Sequence, residues 1–150
     1  MTEAPLRFAA IGFDHPHIFG QVGALLAAGA EFVAFHASQP SGVEGFVRAF
    51  PQARQVDDER AILQDDSIAL VTSASIPCDR APLGVRVMQH GKDFLVDKPG
   101  MTSLAQLEEV RRVQRETGRF YSVFFSERFE SRATLKASQL VRARSEEHTS

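Results

Sequence analysis

The run Gly91-Lys92-Asp93-Phe94-Leu95-Val96-Asp97-Lys98-Pro99-Gly100 carries a short apolar segment straight into a carboxylate and an ammonium group, then breaks at Pro-Gly. An ammonium at the end of a buried strand can polarise or steady an oxygen on which charge develops, and a neighbouring carboxylate can hold or tune it. Lys98 and Asp97 are therefore the first candidates for chemistry, with an ordinary loop ion pair as the alternative. A second concentration of reactive types is Gly12-Phe13-Asp14-His15-Pro16-His17, which also follows an apolar run. The N–H groups at a helix start bind anions, and His15 and His17 can add hydrogen bonds or positive charge. Asp14 works against an anion there unless it caps the helix.

Asp14, His15, His17, His36, Cys78 and Asp79 all follow apolar runs and could approach one sheet edge, and several are competent metal ligands. None shows the i, i+4 helical spacing or the Cys-x-x-Cys spacing that marks a metal site, and Pro16 splits the two histidines. No metal ligand is assigned, and a metal-dependent enzyme stands as a secondary alternative.

The elements that must position these residues alternate along the chain. Leu6–Ile11, Glu31–Phe35, Gln55-Val56, Ile68–Ala74, the segment ending at Asp97, and Phe120–Phe125 read as six strands. Between the first two, Ile18, Val22, Leu25 and Leu26 recur at helical spacing. Helices are also expected over Ser41–Phe50, over Asp58–Gln64 with Asp57 or Asp58 as cap, and over Asp79–His90 with Pro82 in the first turn and Gly91 as stop. The fifth helix opens with a capping box, Ser103 with Gln106, buries Leu104, Leu107, Val110 and Val113, and ends at Gly118. Strand–helix alternation of this kind calls for a doubly wound parallel α/β sheet of about six strands with helices on both faces. In such a sheet the ligand crevice lies at the carboxyl ends of the strands, where both reactive stretches fall.

Composition sets outer bounds. The 150 residues are 43% hydrophobic and 24% charged, with a net charge of -2, which suits one globular domain and gives no basic stripe for nucleic acid. No apolar run approaches the roughly 20 residues of a membrane span. The lone Cys78 fits a reducing compartment, so a cytoplasmic location is expected. Residues 1–130 form the expected domain, and 131–143 a linker or the start of another. Residues 144–150 resemble a translated sequencing adapter and are set aside as a non-native tail.

The order of motifs, above all Gly91-Lys92-Asp93 through Asp97-Lys98-Pro99, resembles the N-terminal Rossmann-type domain of Gfo/Idh/MocA NAD(P)-dependent oxidoreductases. Asp97 stands where that family's motif has Glu. Ser126-Glu127-Arg128-Phe129 is similar to the family's Asn-x-Arg-Phe, and the likeness extends from about Leu6 to Arg132. It implies that Lys98 sits by the nicotinamide and the substrate hydroxyl, with Asp97 beside it and Pro99 stiffening the turn. It further implies that Gly12, Phe13, Asp14, His15 and His17 line the pyrophosphate and that Ser75, Pro77 and Arg80 border the nicotinamide ribose. His36 and Ser38 end the second strand near the adenosine ribose.

Two departures matter. A Gly-x-Gly-x-x-Gly fingerprint would fall on Gly12, Asp14 and His17, so one glycine of three survives. Phe35-His36-Ala37-Ser38 offers no acidic residue for a ribose 2′-hydroxyl, which leaves NAD or NADP open with a slight lean to NADP. The expected function is the cofactor-binding half of an oxidoreductase acting on a sugar, cyclitol or related polyol, inactive as this chain alone. A C-terminal domain would supply the proton-transferring residue and a homo-oligomer contact. The alternative is a non-catalytic Rossmann-like module that senses a ligand.

Overall fold

Phe8, Ala9, Ala10 and Ile11 are all buried, as a continuous apolar run demands of a strand covered on both faces. They belong to β1 (Arg7–Ile11), near the middle of the six-stranded parallel sheet seen in the computed structural model, which describes residues 4–37, 43–126 and 132–147. The other strands are β2 (Glu31–His36), β3 (Arg54–Gln55), β4 (Leu70–Ser73), β5 (Asp93–Asp97) and β6 (Tyr121–Phe124). Their spatial order is β3-β2-β1-β4-β5-β6. The chain therefore winds outward from β1 in one direction, returns, and winds outward in the other. That reversal opens a crevice between the carboxyl ends of β1 and β4.

Side-chain alternation along β1 divides the core. Phe8 and Ala10 join Ile18 and Val22 of α1 (His17–Ala27) and Phe46 of α2 (Val43–Ala49) on one face. Ala9 and Ile11 join Ile62 and Leu63 of α3 (Arg60–Leu63) and Leu83 and Val87 of α4 (Pro77–Gln89) on the other. Phe46 anchors the first face, its ring 4.1 Å from that of Phe13, 4.9 Å from Phe50 and 5.2 Å from Phe35. On the second face α5 (Leu104–Thr117) packs Val110 and Val113 against Ala81 and Met88 of α4. A final helix, α6 (Arg132–Glu147), extends through the expected tail as far as Glu147. Among the described residues no helix is long and apolar enough to cross a membrane.

Several local expectations change. α3 has four residues rather than seven, although Asp58 does accept the Arg60 N–H at 2.9 Å as a capping carboxylate would. α4 begins at Pro77, two residues early, because Pro77 takes the N1 position that tolerates a missing N–H. Pro82 thus falls beyond the first turn, and the carbonyl of Cys78 that it cannot serve accepts from Gln106 Nε2 at 3.0 Å instead. The capping box is also shared differently: Ser103 Oγ accepts from Gln106 N at 3.1 Å, while Gln106 Oε1 accepts from Thr102 N at 2.8 Å. Leu104, expected inside, is 80% exposed at the first position of α5.

Gly84 fixes how closely α4 lies on the sheet. A Cβ there would stand 2.6 Å from Phe94 Cδ1, and closer still to the Tyr121 ring. Both rings are held, because Phe94 is buried and Tyr121 donates its hydroxyl hydrogen bond to the Gly100 carbonyl. Gly84→Ala is expected to cost about 1–3 kcal/mol by overpacking, read as a lower denaturant midpoint at constant slope. A gain in stability, as an ordinary Gly→Ala change within a helix gives, would show that α4 is free to move outward.

Candidate functional site

The β1–α1 turn begins with Gly12, whose N–H donates to the His36 carbonyl at 3.2 Å and whose own carbonyl accepts from Ala74 N at 3.2 Å. The ends of β2, β1 and β4 are thereby tied at one residue. Phe13 turns its ring into the aromatic core beside Phe35 and Phe46, so only its backbone faces the crevice. α1 has Pro16 as its N-cap residue and no side-chain cap bond from it, and the adjoining N–H of His17 goes to the His15 ring, Nδ1, at 3.3 Å. Of the two roles open to Asp14, the capping one goes to His15, and the exposed Asp14 carboxylate lines the crevice.

Asp97 is the centre of the site. It ends β5, is 2% exposed, and gathers side chains from two other segments, the β1–α1 turn and α4. Its Oδ1 accepts from His17 Nδ1 at 3.0 Å and from the backbone N–H of Lys98 at 2.8 Å. Its Oδ2 lies 3.2 Å from Arg80 Nη2 and 3.9 Å from His15 Nδ1. Sequence reasoning set this carboxylate beside Lys98; it grips Lys98 through the backbone N–H and also meets Arg80 and His17, two partners the sequence did not offer. Arg80, 3% exposed, also donates through Nε to the Ser75 carbonyl at 2.7 Å and through Nη1 to the Pro99 carbonyl at 3.0 Å. It is a buried clamp between the loops after β4 and β5. Pro99 follows a cis peptide bond.

Around this network lies a cleft of about 230 Å3, lined by Asp14, His15, His17, Ser75, Ile76, Pro77, Arg80, Asp97 and Lys98. Most of the sequence-predicted residues thus converge on one space. A neighbouring hollow of about 200 Å3 is shared by Gly12, Asp14, His36, Ser75 and Asp79 with Glu59 and Arg86. The His36 ring is already engaged there, its Nδ1–H donating to the Val56 carbonyl at 3.1 Å. A larger recess of about 490 Å3 lies between α4 and α5, lined by Ala81, Pro82, Val85 and Ala105 among others, and among the described residues none of the predicted ones borders it. Ser38 and the Glu127-Arg128-Phe129 part of the last motif lie outside the described residues.

The residues weighed as metal ligands separate. His36 turns to Val56, and Cys78 donates its thiol to Asp79 Oδ1 at 3.6 Å. His15 and His17 instead meet Asp97, with one ligand atom of each within 4.8 Å of the others.

Sequence reasoning missed Gln21. It is fully buried on α1, and with its amide turned to suit its neighbours it donates to Thr72 Oγ1 and to the Ser73 carbonyl at 3.2 Å and accepts from Asp97 N at 3.2 Å. A glutamine on the apolar stripe between Ile18 and Val22 was the available signal, since a buried amide must find partners.

Comparison with known proteins agrees with the fold. A protein of Erwinia carotovora atroseptica SCRI1043, assigned as an oxidoreductase, superposes with a TM-score of 0.88 at 40% identity, covering 92% of this chain and 41% of that one. The uncharacterized oxidoreductase YdgJ of Escherichia coli (strain K12) is 28% identical over 82 residues, which is 55% of this chain and 24% of YdgJ. The myo-inositol 2-dehydrogenase of Lactobacillus plantarum shares the fold, with a TM-score of 0.79 at 15% identity over 93% of this chain and 42% of its own. The chain spans less than half the length of each of these proteins. Residues 7–125 match the family model described as an oxidoreductase family with an NAD-binding Rossmann fold, and the chain belongs to that family, Gfo/Idh/MocA.

Proposed function

We propose that this chain is the cofactor-binding part of an NAD(P)-dependent oxidoreductase that oxidises a secondary alcohol of a sugar, cyclitol or related polyol. The observation that carries this reading is the position of Lys98. It follows β5 at the carboxyl edge of the sheet and borders a cleft shared with the β1–α1 turn and with Ser75 and Pro77 after β4. Family membership supports the cofactor, and the fold shared with an inositol dehydrogenase supports the polyol.

In this reading the dinucleotide lies across the strand ends. Its pyrophosphate meets the backbone N–H groups of Phe13, Asp14 and His15, those of Gly12 and His17 being bonded within the turn, with the His15 and His17 rings beside it where the lost glycines no longer make room. Its nicotinamide ribose lies by Ser75, Pro77 and the backbone braced by Arg80, and its adenosine ribose by His36. Lys98 faces the substrate hydroxyl and steadies the oxygen as its proton leaves and hydride passes to the ring. The cofactor supplies the hydride chemistry; the chain binds and orients it and excludes water. A further domain would complete the substrate pocket and carry the homo-oligomer contact in the cytoplasm. The exposed Phe120 and Phe125, 69% and 53% accessible at either end of β6, are apolar surface for that domain.

Titration of this chain and of the complete protein with NADH and NADPH, following nicotinamide fluorescence, tests the proposal. Saturable binding that Lys98→Ala weakens is expected. Absence of binding by the complete protein at millimolar cofactor overturns it. The exposed Asp14 in the phosphate turn favours one rival, a Rossmann-like module that binds another ligand without catalysis, and that second result is the one it predicts.

A further inference from the structure

We propose that His15, His17 and Asp97 form a binding site for one first-row divalent cation at the mouth of the crevice. Two imidazoles and one carboxylate are a recurrent donor set for such ions, with the remaining coordination positions left to water or a ligand oxygen. The three residues come from the β1–α1 turn and the end of β5, 80 positions apart in the chain.

Three observations converge. His17 Nδ1 stands 3.0 Å from Asp97 Oδ1, joined to it by the Nδ1–H hydrogen bond, and with that proton moved to Nε2 one ion can take the place of the hydrogen between the two atoms. Next, His15 Nδ1 accepts the His17 backbone N–H, so it is unprotonated, and it lies 3.9 Å from Asp97 Oδ2; a bound ion would take that lone pair in place of the N–H. Finally, the carboxylate is held as ligating carboxylates are. Arg80 bonds Oδ2, the Lys98 N–H bonds Oδ1, and Gln21 takes the Asp97 N–H, so the orientation of the ligand is fixed before any ion arrives. The histidine side chains are 49% and 44% exposed, which leaves the side toward Ser75, Ile76 and Pro77 open.

Charge balance points the same way. Asp14 and Asp97 are offset by Arg80 and Lys98, so the cleft has no net positive charge of its own to give a dianionic ligand. A divalent cation would supply it. The guanidinium of Arg80 on the same carboxylate limits the affinity, so the site is one for a borderline ion such as Zn2+ or Co2+, which imidazole suits, rather than Ca2+.

The test uses the full 150-residue chain stripped with chelator, titrated with Co2+ by visible absorption and with Zn2+ by calorimetry. One equivalent per chain is expected, with His15→Ala and His17→Ala each weakening the affinity by at least about 10-fold. His90→Ala, an exposed histidine elsewhere, should change nothing. Unaltered circular dichroism of the variants separates loss of the site from loss of the fold. Absence of saturable binding, or binding indifferent to both substitutions, overturns the proposal. Because the readout is the ion alone, neither result bears on the nicotinamide titration.

Discussion

Arg80→Met is expected to destabilise the chain by roughly 3–5 kcal/mol in equilibrium denaturation, the cost of leaving a buried charge without its partner. Arg80 and Asp97 are both nearly inaccessible to water, and the guanidinium makes three bonds at once, to Asp97 Oδ2, the Ser75 carbonyl and the Pro99 carbonyl. Methionine roughly fills the volume but donates nothing. The Asp97 carboxylate then keeps only His17 and the Lys98 N–H, and two carbonyls lose a charge-assisted donor. Desolvation is what makes the loss large, since an exposed ion pair would be worth about 1 kcal/mol or less. The double variant Arg80→Met, Asp97→Leu should recover much of the stability, because replacing both charges by apolar groups can be neutral. A single variant that loses less than about 1 kcal/mol would mean that water reaches Asp97 and that Arg80 is no clamp.

This pair also marks the boundary of what the sequence discloses. The strands are legible because burial on both faces leaves an uninterrupted apolar run, and the order of six runs separated by helical spacings yields the doubly wound sheet. The positions of Lys98, Asp97, Gly12, His15 and His17 at strand ends follow from the same logic. Partnerships across the crevice do not. In one dimension Lys98 is the only partner that Asp97 shows, whereas in three the carboxylate is also met by Arg80 from α4 and by His17 from α1. Sequence proximity says nothing about a side chain 17 or 80 positions away.

Smaller misreadings have the same origin. Phe13 adjoins Gly12 and was grouped with the cofactor turn, yet its ring is drawn inward by Phe35 and Phe46, because an aromatic ring gains more from the core than from a wet cleft. Leu104 has the helical spacing of a core residue but stays 80% exposed at the start of α5. Gln21 interrupts an apolar stripe, and only the presence of Thr72, Ser73 and Asp97 opposite it explains why burial is affordable. Local pattern determines the elements; tertiary neighbours determine which polar groups are satisfied, and the site is built from the second.

Gly12→Ala should lower stability by roughly 2–4 kcal/mol, through two costs that a second glycine separates. The first is conformational: φ at Gly12 is +82°, a region that costs a residue with a Cβ about 1–2 kcal/mol. The second is steric. A Cβ there would come within 2.8 Å of Ser75 Cβ and 3.3 Å of the Ser75 Cα, and Ser75 cannot retreat because its carbonyl is held by Arg80. Gly29, between α1 and β2, has a φ of +88° with open space around it, so Gly29→Ala incurs the conformational cost alone. Denaturant midpoints for the two variants, at equal slopes, should therefore differ, with Gly12→Ala the more damaging by about 1–3 kcal/mol. Equal losses would refute the close approach of the β1 turn to the β4 loop. The difference also has a functional reading: the contact that excludes a methyl group at Gly12 is what sets the turn carrying His15 and His17 against the loop braced by Arg80. A variant that opens this contact should lose ligand binding in the crevice along with stability, while Gly29→Ala keeps it.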